Sequence, residues 1–271
     1  MVQIKKESLT SMLKSVKVSY LGNTTQSAKM QYSYNNGVET YCVYLAPADM
    51  SGHNVCPNSK WCKAFCLNSS GHNKADILAH GEKFSKINMA RIKKTKLFYE
   101  NRDLFMRIMI AEIKKHQAHA KKNGLDFAIR INGTSDLSPE IFKLNGKNIL
   151  EMFPEIQFYD YTKVANRIRL MDKYDNYDIT LSFNGHNWND CETFLQNGGK
   201  AAVVFEGELP KTFHGYEVID ANGYDMRYLD PKGTIMGLHY HPVANDYKNG
   251  KLHISNETKF IVRSNDKNCE W

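Results

Sequence analysis

The chain has 271 residues, of which 42% are hydrophobic and 24% are charged, as in ordinary globular proteins. Its 13 Phe, 15 Tyr and 3 Trp provide enough apolar surface for a packed core, which argues against a disordered chain. The longest apolar runs, such as residues 201–205, are far shorter than the roughly 20 residues that a membrane-crossing helix needs. The formal charge of +7 is compatible with an anionic partner such as a nucleic acid, and equally with a solvated basic surface.

The first residues carry lysines without an apolar core behind them, which is not the pattern of a signal peptide. We therefore expect a cytoplasmic protein with no membrane partner. Further lysines cluster on segments that we interpret as helices, where they form an exposed helix face or, alternatively, hold phosphates. These lysines are Lys93, Lys94, Lys96, Lys114, Lys115, Lys121 and Lys122.

Residues 1–50 form a mixed N-terminal region. In residues 30–34, apolar or aromatic side chains alternate with polar ones, and residues 38–45 are rich in β-forming side chains. The turn sequence Asn-Asn-Gly lies between them at 35–37. This pattern predicts an N-terminal β-hairpin. Residues 51–73 contain three cysteines, two glycines and many polar residues, which indicates an irregular loop.

The remaining residues, 74–271, are expected to form helices and βα units. Apolar spacing predicts helices over 74–96 and 103–119. After Gly124, short β-rich runs recur at 127–131, 156–161, 179–183, 201–205, 217–219 and 235–240. Segments long enough for one helix, such as 138–150 and 187–197, separate the earlier runs. This alternation predicts a single α/β domain over 1–271, with parallel strands in a full or partial βα barrel.

Three of the six cysteines lie in one short segment. Five residues separate Cys56 from Cys62, and three separate Cys62 from Cys66. Clustered thiols in a chain without a secretion signal point to a metal rather than to disulfides. Thiolates are soft ligands that suit iron–sulfur clusters and zinc. Three thiols on one loop are the arrangement expected when a [4Fe–4S] cluster keeps one iron for another ligand.

Other interpretations of these cysteines stay open. Zinc would need a fourth ligand, from a remote cysteine or from the nearby His53 or His72, and the chain has no C-x-x-C pair. The three thiols would otherwise be unrelated buried cysteines. For a cluster, the fourth position is either free or occupied by Cys42, Cys269 or a histidine.

Polar residues follow the predicted strands directly. In parallel α/β folds the ligand site lies at the carboxyl ends of the strands, so these side chains are candidates to bind a cofactor or substrate. The alternative is that they cap the following helices or pack at the rim. Arg130 lies within a strand and needs a partner there, such as Asp136 or a bound anion. The candidate residues are Arg130, Asn132, Ser135, Asp136, Tyr161, Lys163 and Asn184.

The cysteine loop, the segment Ile-Arg-Ile-Asn-Gly-Thr-Ser-Asp at 129–136 and Phe-Tyr-Asp-Tyr-Thr-Lys at 158–163 together resemble the phage-borne gene product 88 (Gp88-like) family. The resemblance covers roughly residues 40–240, with these segments in the same order. It implies a phage or prophage origin, and hence the cytoplasm of the host cell. The family pattern would have several clustered cysteines near the C-terminus, where this chain has only Cys269, so we expect no second metal site.

More loosely, a three-cysteine loop ahead of βα units is similar to radical S-adenosylmethionine (SAM) enzymes. In those enzymes the loop follows the first barrel strand, and SAM binds the open iron through its amino and carboxylate groups. Their cysteines are mostly separated by three and then two residues, against five and three here. Their Gly-Gly-Glu-Pro stretch is absent, and Ser135 and Asp136 stand at the corresponding strand end.

Three functions follow as hypotheses. The first is a [4Fe–4S] enzyme of radical SAM type that uses Cys56, Cys62 and Cys66 for the cluster and the strand ends for a small molecule. The second is a cluster-bearing protein without catalysis that binds nucleic acid or a host protein. The third is an interaction protein stabilised by zinc. The sequence does not predict the substrate or the oligomeric state.

Overall fold

The structure is a computed structural model that describes residues 7–25, 27–248, 251–252 and 258–271. Several helices start at a polar cap, because the side chains of Ser8, Ser27, Ser85 and Asn101 each accept a hydrogen bond from a first-turn N–H. The α-helices are α1 (Leu9–Ser15), α2 (Ala28–Asn35), α3 (Gly71–His80), α4 (Lys86–Glu100), α5 (Arg102–Lys122), α6 (Ile149–Met152), α7 (Leu170–Lys173) and α8 (Trp188–Gln196). Short 3-10 helices span Lys63–Phe65, Leu67–Ser69, Glu82–Phe84, Pro139–Ile141, Ala165–Arg169, Arg227–Leu229 and Ala244–Asp246.

The strands form one large sheet and two small pairs. They are β1 (Gly22–Asn23), β2 (Val38–Val43), β3 (Asp126–Arg130), β4 (Lys143–Leu144), β5 (Lys147–Asn148), β6 (Gln157–Thr162), β7 (Tyr177–Ser182), β8 (Lys200–Phe205), β9 (Thr212–Phe213), β10 (Tyr216–Asp220), β11 (Ile235–His239), β12 (Tyr247–Lys248), β13 (Lys251–Leu252), β14 (Ile261–Val262) and β15 (Cys269–Glu270). The large sheet has the order β1-β2-β3-β6-β7-β8-β11-β10-β9-β15, and β14 also pairs with β8. The strands from β2 through β10 in this order pair in parallel, whereas β1, β9 and β15 pair antiparallel.

The two faces of the sheet are covered differently. One face packs on the long helices through an apolar core that includes Tyr41, Ile129 and Phe158 from the sheet and Phe98 and Ile108 from α4 and α5. Strand side chains alternate between faces, so the neighbours of these residues point to the other side. That opposite face is covered by the connection between β10 and β11, and the buried side chains there include Val38, Ala128, Tyr159 and Met226.

The predicted strands and their parallel arrangement are confirmed. Each of the β-rich runs after residue 124 coincides with one strand of the large sheet, from β3 to β11. Crossovers of helix and loop connect most of them, which is why they align in parallel. The described part of the chain does not form a closed barrel. The strand order of the large sheet begins at β1 and ends at β15, and these two strands do not pair with each other.

The predicted N-terminal β-hairpin is wrong. Residues 28–35 form α2, in which Met30 and Ser33 are buried three positions apart, and only the second half of the expected hairpin is a strand. The alternation of residues 30–34 is equally compatible with one turn of an amphipathic helix, and Ser27 caps that helix. Gly37, with φ of 88°, then redirects the chain into β2, which pairs in parallel with β3.

Two predicted helices differ from the structure. The expected helix over 74–96 is divided into α3 and α4 because Gly81, with φ of 86°, ends the first of them. Residues 138–150 do not form one helix: Asn145 and Gly146 both have positive φ and make the turn of the small β4–β5 pair before the short α6. The described residues include no helix that is long and apolar enough to cross a membrane.

A glycine directly after β3 permits close packing at the edge of the sheet. A Cβ atom on Gly133 would lie 2.7 Å from Cδ1 of Tyr44 and 2.8 Å from Sγ of Cys42. We predict that Gly133→Ala lowers the free energy of unfolding by about 1–3 kcal/mol, the usual cost of overpacking. Gly223→Ala is the matched control, since no atom lies within 4 Å of its added Cβ. Chemical denaturation measures both variants, and equal losses would contradict the packing described here.

Candidate functional site

The cysteine loop crosses the edge of the sheet at the carboxyl ends of its parallel strands. It leaves β2 and runs past the ends of β3 and β6, where two hydrogen bonds fix it. The backbone N–H of Asp136 donates to the carbonyl of Val55 at 2.8 Å, and the amide of Asn58 donates to the carbonyl of Lys163 at 2.9 Å. The loop therefore lies where the ligand site of a parallel α/β sheet is expected.

Aromatic contacts extend the loop over the ends of the later strands. The ring of Trp61 lies 4.0 Å from the ring of His186, which follows β7. Phe65 stacks on Phe260, just before β14, with ring centroids 5.9 Å apart, and meets the edge of Tyr240 after β11. Phe65 is buried, so these contacts anchor the second half of the loop.

The three cysteines of the loop are free thiols with partial exposure. The N–H of Ala48 donates to Sγ of Cys56 at 3.4 Å, and that thiol lies 3.8 Å from the carbonyl oxygen of Thr134, next to the end of β3. Sγ of Cys62 lies 3.8 Å from the carbonyl of Ser59. Burial raises the pKa of Cys56 to about 12, and the neighbouring Cys66 and Cys62 add to that shift. The thiols of Cys56 and Cys62 therefore each contact the backbone of the loop or of the neighbouring strand end.

Two cations approach the third cysteine. Burial raises the pKa of Cys66, while the backbone N–H of Asn68 and the positive charges of Lys163 and Arg91 act in the opposite direction. Arg91 comes from α4, its guanidinium donates to the side-chain oxygen of Asn68, and its guanidinium carbon lies 5.1 Å from the ring centre of Tyr44. Sequence patterns gave no indication of Arg91, because it lies 25 positions beyond Cys66 on a helix whose other basic residues are mostly exposed.

The remaining cysteines are dispersed. Cys42 is buried on β2 opposite Arg130 of β3, and burial raises its pKa to about 12. Cys191 is buried in α8, and Cys269 lies in β15 at the far end of the strand order. Among the described residues, no group of three or more His, Cys, Asp or Glu side chains is arranged to hold a metal ion. The iron–sulfur cluster and the zinc alternative therefore both stay predictions.

Arg130 and Tyr161 lie on the face of the sheet that the β10–β11 connection covers. Both bind Asp225 of that connection: Arg130 forms an ion pair with it at 2.5 Å, and the Tyr161 hydroxyl donates to it at 3.0 Å. The guanidinium of Arg130 also lies over the Tyr161 ring, 4.7 Å from its centre. The expected partner of Arg130 was Asp136 or an anion, and the structure places Asp225 there instead. Nothing local in the sequence marks this contact, which spans 95 residues.

Asp136 is occupied by contacts with the neighbouring strand. It accepts hydrogen bonds from the Thr162 hydroxyl at 2.7 Å and from the N–H of Lys163 at 2.9 Å, and it forms an ion pair with the buried Arg167. The carboxylate thus ties the end of β3 to the end of β6. Its negative charge is compensated within the chain.

Asn132, Ser135 and Asn184 also make internal contacts. Asn132 is buried and donates to Asp160, while its side-chain oxygen accepts from the Ser135 hydroxyl at 2.8 Å. The side chain of Asn184 accepts from the N–H of His186 and closes the turn after β7. The candidate residues therefore lie along one edge of the sheet, but their polar groups form separate sets of contacts. Arg130 and Tyr161 bind Asp225, whereas Asp136 and Asn132 bind other residues of the chain. The ammonium of Lys163 lies 5.9 Å from the ring centre of Phe260, which stacks on Phe65 of the cysteine loop.

The Arg130–Asp225 pair gives a prediction about stability. Asp225→Leu leaves the guanidinium of Arg130 without its carboxylate in a largely buried place, and we expect a loss of about 3–5 kcal/mol in the free energy of unfolding. The double variant Arg130→Met with Asp225→Leu should regain much of that loss, because it removes both charges.

The control for this prediction is Asp49→Leu, which breaks an exposed ion pair with Lys63 and should change stability little. Urea denaturation of the four proteins makes the comparison. If Asp225→Leu is no more harmful than Asp49→Leu, the pair does not hold the β10–β11 connection on the sheet.

The basic helices differ from the expectation in one respect. Lys93, Lys96, Lys114, Lys121 and Lys122 are exposed or partly exposed, as predicted for a solvated face. Lys94, however, is buried, and its ammonium donates to the carbonyl of Leu21 at 2.9 Å. Burial lowers the pKa of Lys94 to about 8. This lysine is part of the packing of α4 and does not contribute to a phosphate-binding surface.

Comparison with known proteins gives one match. The model of the family described as Gene product 88 matches residues 12–261, which include the cysteine loop and the large sheet up to β14. A match of this extent shows that the chain belongs to the Gene product 88 family. No curated protein and no solved structure matches.

Proposed function

We propose that this member of the Gene product 88 family is an iron–sulfur protein in which Cys56, Cys62 and Cys66 bind one [4Fe–4S] cluster. The observation that carries the proposal is the position of the loop. Three free thiols lie on one loop that crosses the carboxyl ends of a parallel sheet, where a bound group and a ligand would meet.

The order of the strands supports the same proposal. The parallel strands β2, β3, β6, β7, β8 and β11 lie side by side in their order along the chain, and the cysteine loop directly follows the first of them. A three-cysteine loop after the first strand of a row of βα units is the arrangement that we noted for radical SAM enzymes. The sheet of this chain stays open in the described residues, so the likeness concerns the row of strands and the place of the loop.

The chemistry of the donors fits a cluster. A cluster binds each thiolate through a different iron, so its ligands stand farther apart than the ligands of one ion. Thiolates bound to iron carry negative charge, and Arg91 and Lys163 supply positive charge next to Cys66. When bound, a [4Fe–4S] cluster with three protein ligands supplies an open coordination position and a source of single electrons. The chain's own part is to hold the three sulfur atoms in place, and the contact of Phe65 with Phe260 anchors the loop that carries them.

The first test removes the ligands one at a time. We predict that Cys56→Ala, Cys62→Ala and Cys66→Ala each lower the iron and sulfide content of anaerobically reconstituted protein. Cys191→Ala is the control, because this cysteine is buried among apolar side chains of α8 and β8 and should leave the content unchanged. Hydrogen exchange should show faster exchange in residues 50–73 first, since a polar loop has little core of its own. Full iron content in all three loop variants would contradict the assignment.

The ligand of the open position is the second part of the proposal. SAM is the first candidate, because its amino and carboxylate groups suit an open iron beside a cationic side chain such as Lys163. Titration of the reduced cluster with SAM should change its EPR spectrum, and cleavage of SAM by the reduced protein would establish an enzyme. An unchanged spectrum at saturating SAM would leave a cluster-bearing binding protein.

A nucleic acid is the second candidate ligand, and one observation favours it. Trp61 is 42% exposed on the loop, and the ammonium of Lys60 lies 4.7 Å from the centre of its ring. An exposed aromatic ring with adjacent cations is a stacking platform for single-stranded nucleic acid. If this candidate is right, single-stranded DNA binds with an affinity that falls steeply with salt, and Trp61→Ala weakens it.

A further inference from the structure

Two cations beside the cysteine loop form no ion pair with a carboxylate of the described residues. Four other basic side chains on or near the sheet are each held by an aspartate: Arg130 by Asp225, Arg167 by Asp136, Lys200 by Asp178 and Arg227 by Asp230. Arg91 and Lys163 are partly buried, and within the described residues neither forms an ion pair with a carboxylate. Partly buried cations are costly unless an anion compensates them.

The two cations converge from different elements. Arg91 of α4 donates to the side-chain oxygen of Asn68, two residues after Cys66. Lys163 directly follows β6, where its carbonyl accepts from the amide of Asn58 in the loop. The ammonium of Lys163 lies 5.9 Å from the ring centre of Phe260, which in turn stacks on Phe65, the residue before Cys66. Both cations therefore lie near residues 65–68 of the loop.

A buried amide at the same place has a donor without a partner. Asn68 is 1% exposed, and its side-chain oxygen accepts from the guanidinium of Arg91. The other end of that amide, Nδ2, makes no hydrogen bond. A buried N–H group without an acceptor costs free energy, and one that adjoins a guanidinium suits an oxygen of a bound anion. The guanidinium itself has five N–H donors, more than the contact with Asn68 uses.

We propose that Arg91, Lys163 and the amide of Asn68 form an anion-binding site beside Cys66, which takes the carboxylate or phosphate group of a small ligand. Arg130, which sequence reasoning selected for this role, is neutralised by Asp225, so Arg91 takes its place as the partner of Lys163. The inference rests on the proposed function only for the location of the ligand. The donors belong to the chain itself and are present whether or not a cluster is bound.

The test measures protection of Cys66 in the full-length protein without metal. Iodoacetamide alkylates the thiols, and peptide mass spectrometry reports the rate at Cys66 relative to Cys269, which lies in β15 far along the strand order. The probes are inorganic phosphate and acetate, each compared with sodium chloride at equal ionic strength. We expect one or both probes to slow alkylation of Cys66 but not of Cys269, and the stronger probe identifies the class of anion.

Variants then locate the effect. Arg91→Gln and Lys163→Gln should each raise about tenfold the probe concentration that is needed for the same protection of Cys66. This is the change expected for loss of a charge-assisted hydrogen bond. Lys96→Gln is the control, because Lys96 lies exposed on the same helix as Arg91 and should behave like the wild type. Equal protection by chloride, or protection that survives Arg91→Gln and Lys163→Gln, would overturn the proposal.

Iron and sulfide content separates this inference from the proposed cluster. If the wild-type chain binds no cluster and the probes still protect Cys66 through Arg91 and Lys163, the anion site stands and the cluster fails. If Arg91→Gln loses the cluster while neither probe protects wild-type Cys66, the two cations only balance the charge of the thiolates, and the anion site is refuted.

Discussion

The parallel pairing of the central strands is the constraint on which the rest of the structure depends. Parallel strands all end at the same edge, so every segment that follows one of them starts there. In this chain those segments include the cysteine loop after β2, the turn with Gly133 after β3 and Lys163 after β6. Residues that are distant in sequence thus become neighbours without any local signal, and one loop can contact several strand ends.

Buried ion pairs determine which polar groups at that edge hold the fold together and which are available to a ligand. Asp225 neutralises Arg130 on one face of the sheet, and Asp136 neutralises Arg167 where β3 meets β6. Both aspartates are therefore committed to holding the fold together, since breaking a buried pair costs several kcal/mol, about 3–5 in measured cases. Among the described residues, the groups at this edge that no ion pair or disulfide engages are the loop thiols, Arg91 and Lys163, and the amide nitrogen of Asn68 makes no hydrogen bond.

Much of the fold could be predicted from the sequence, because strand patterns are local. The runs from 127 onward were short and rich in β-forming residues, helix-length segments separated the earlier ones, and each became a strand. The prediction of an N-terminal hairpin was wrong because five alternating residues are too few to distinguish a strand from one helical turn. The cap at Ser27 favours the helix. The partner of Arg130 could not be predicted, since Asp225 approaches it through a connection that no local pattern places on the sheet. The role of Arg91 could not be predicted either, since no local pattern places α4 beside the cysteine loop.

Metal analysis of the wild-type chain shows directly what the three thiols bind. The full-length protein should be purified under anaerobic conditions and analysed for iron, acid-labile sulfide and zinc. The account predicts about four iron and four sulfide atoms per chain, the composition of a [4Fe–4S] cluster, with little zinc. One zinc per chain without sulfide, or a folded chain that takes up neither metal on reconstitution, would contradict it.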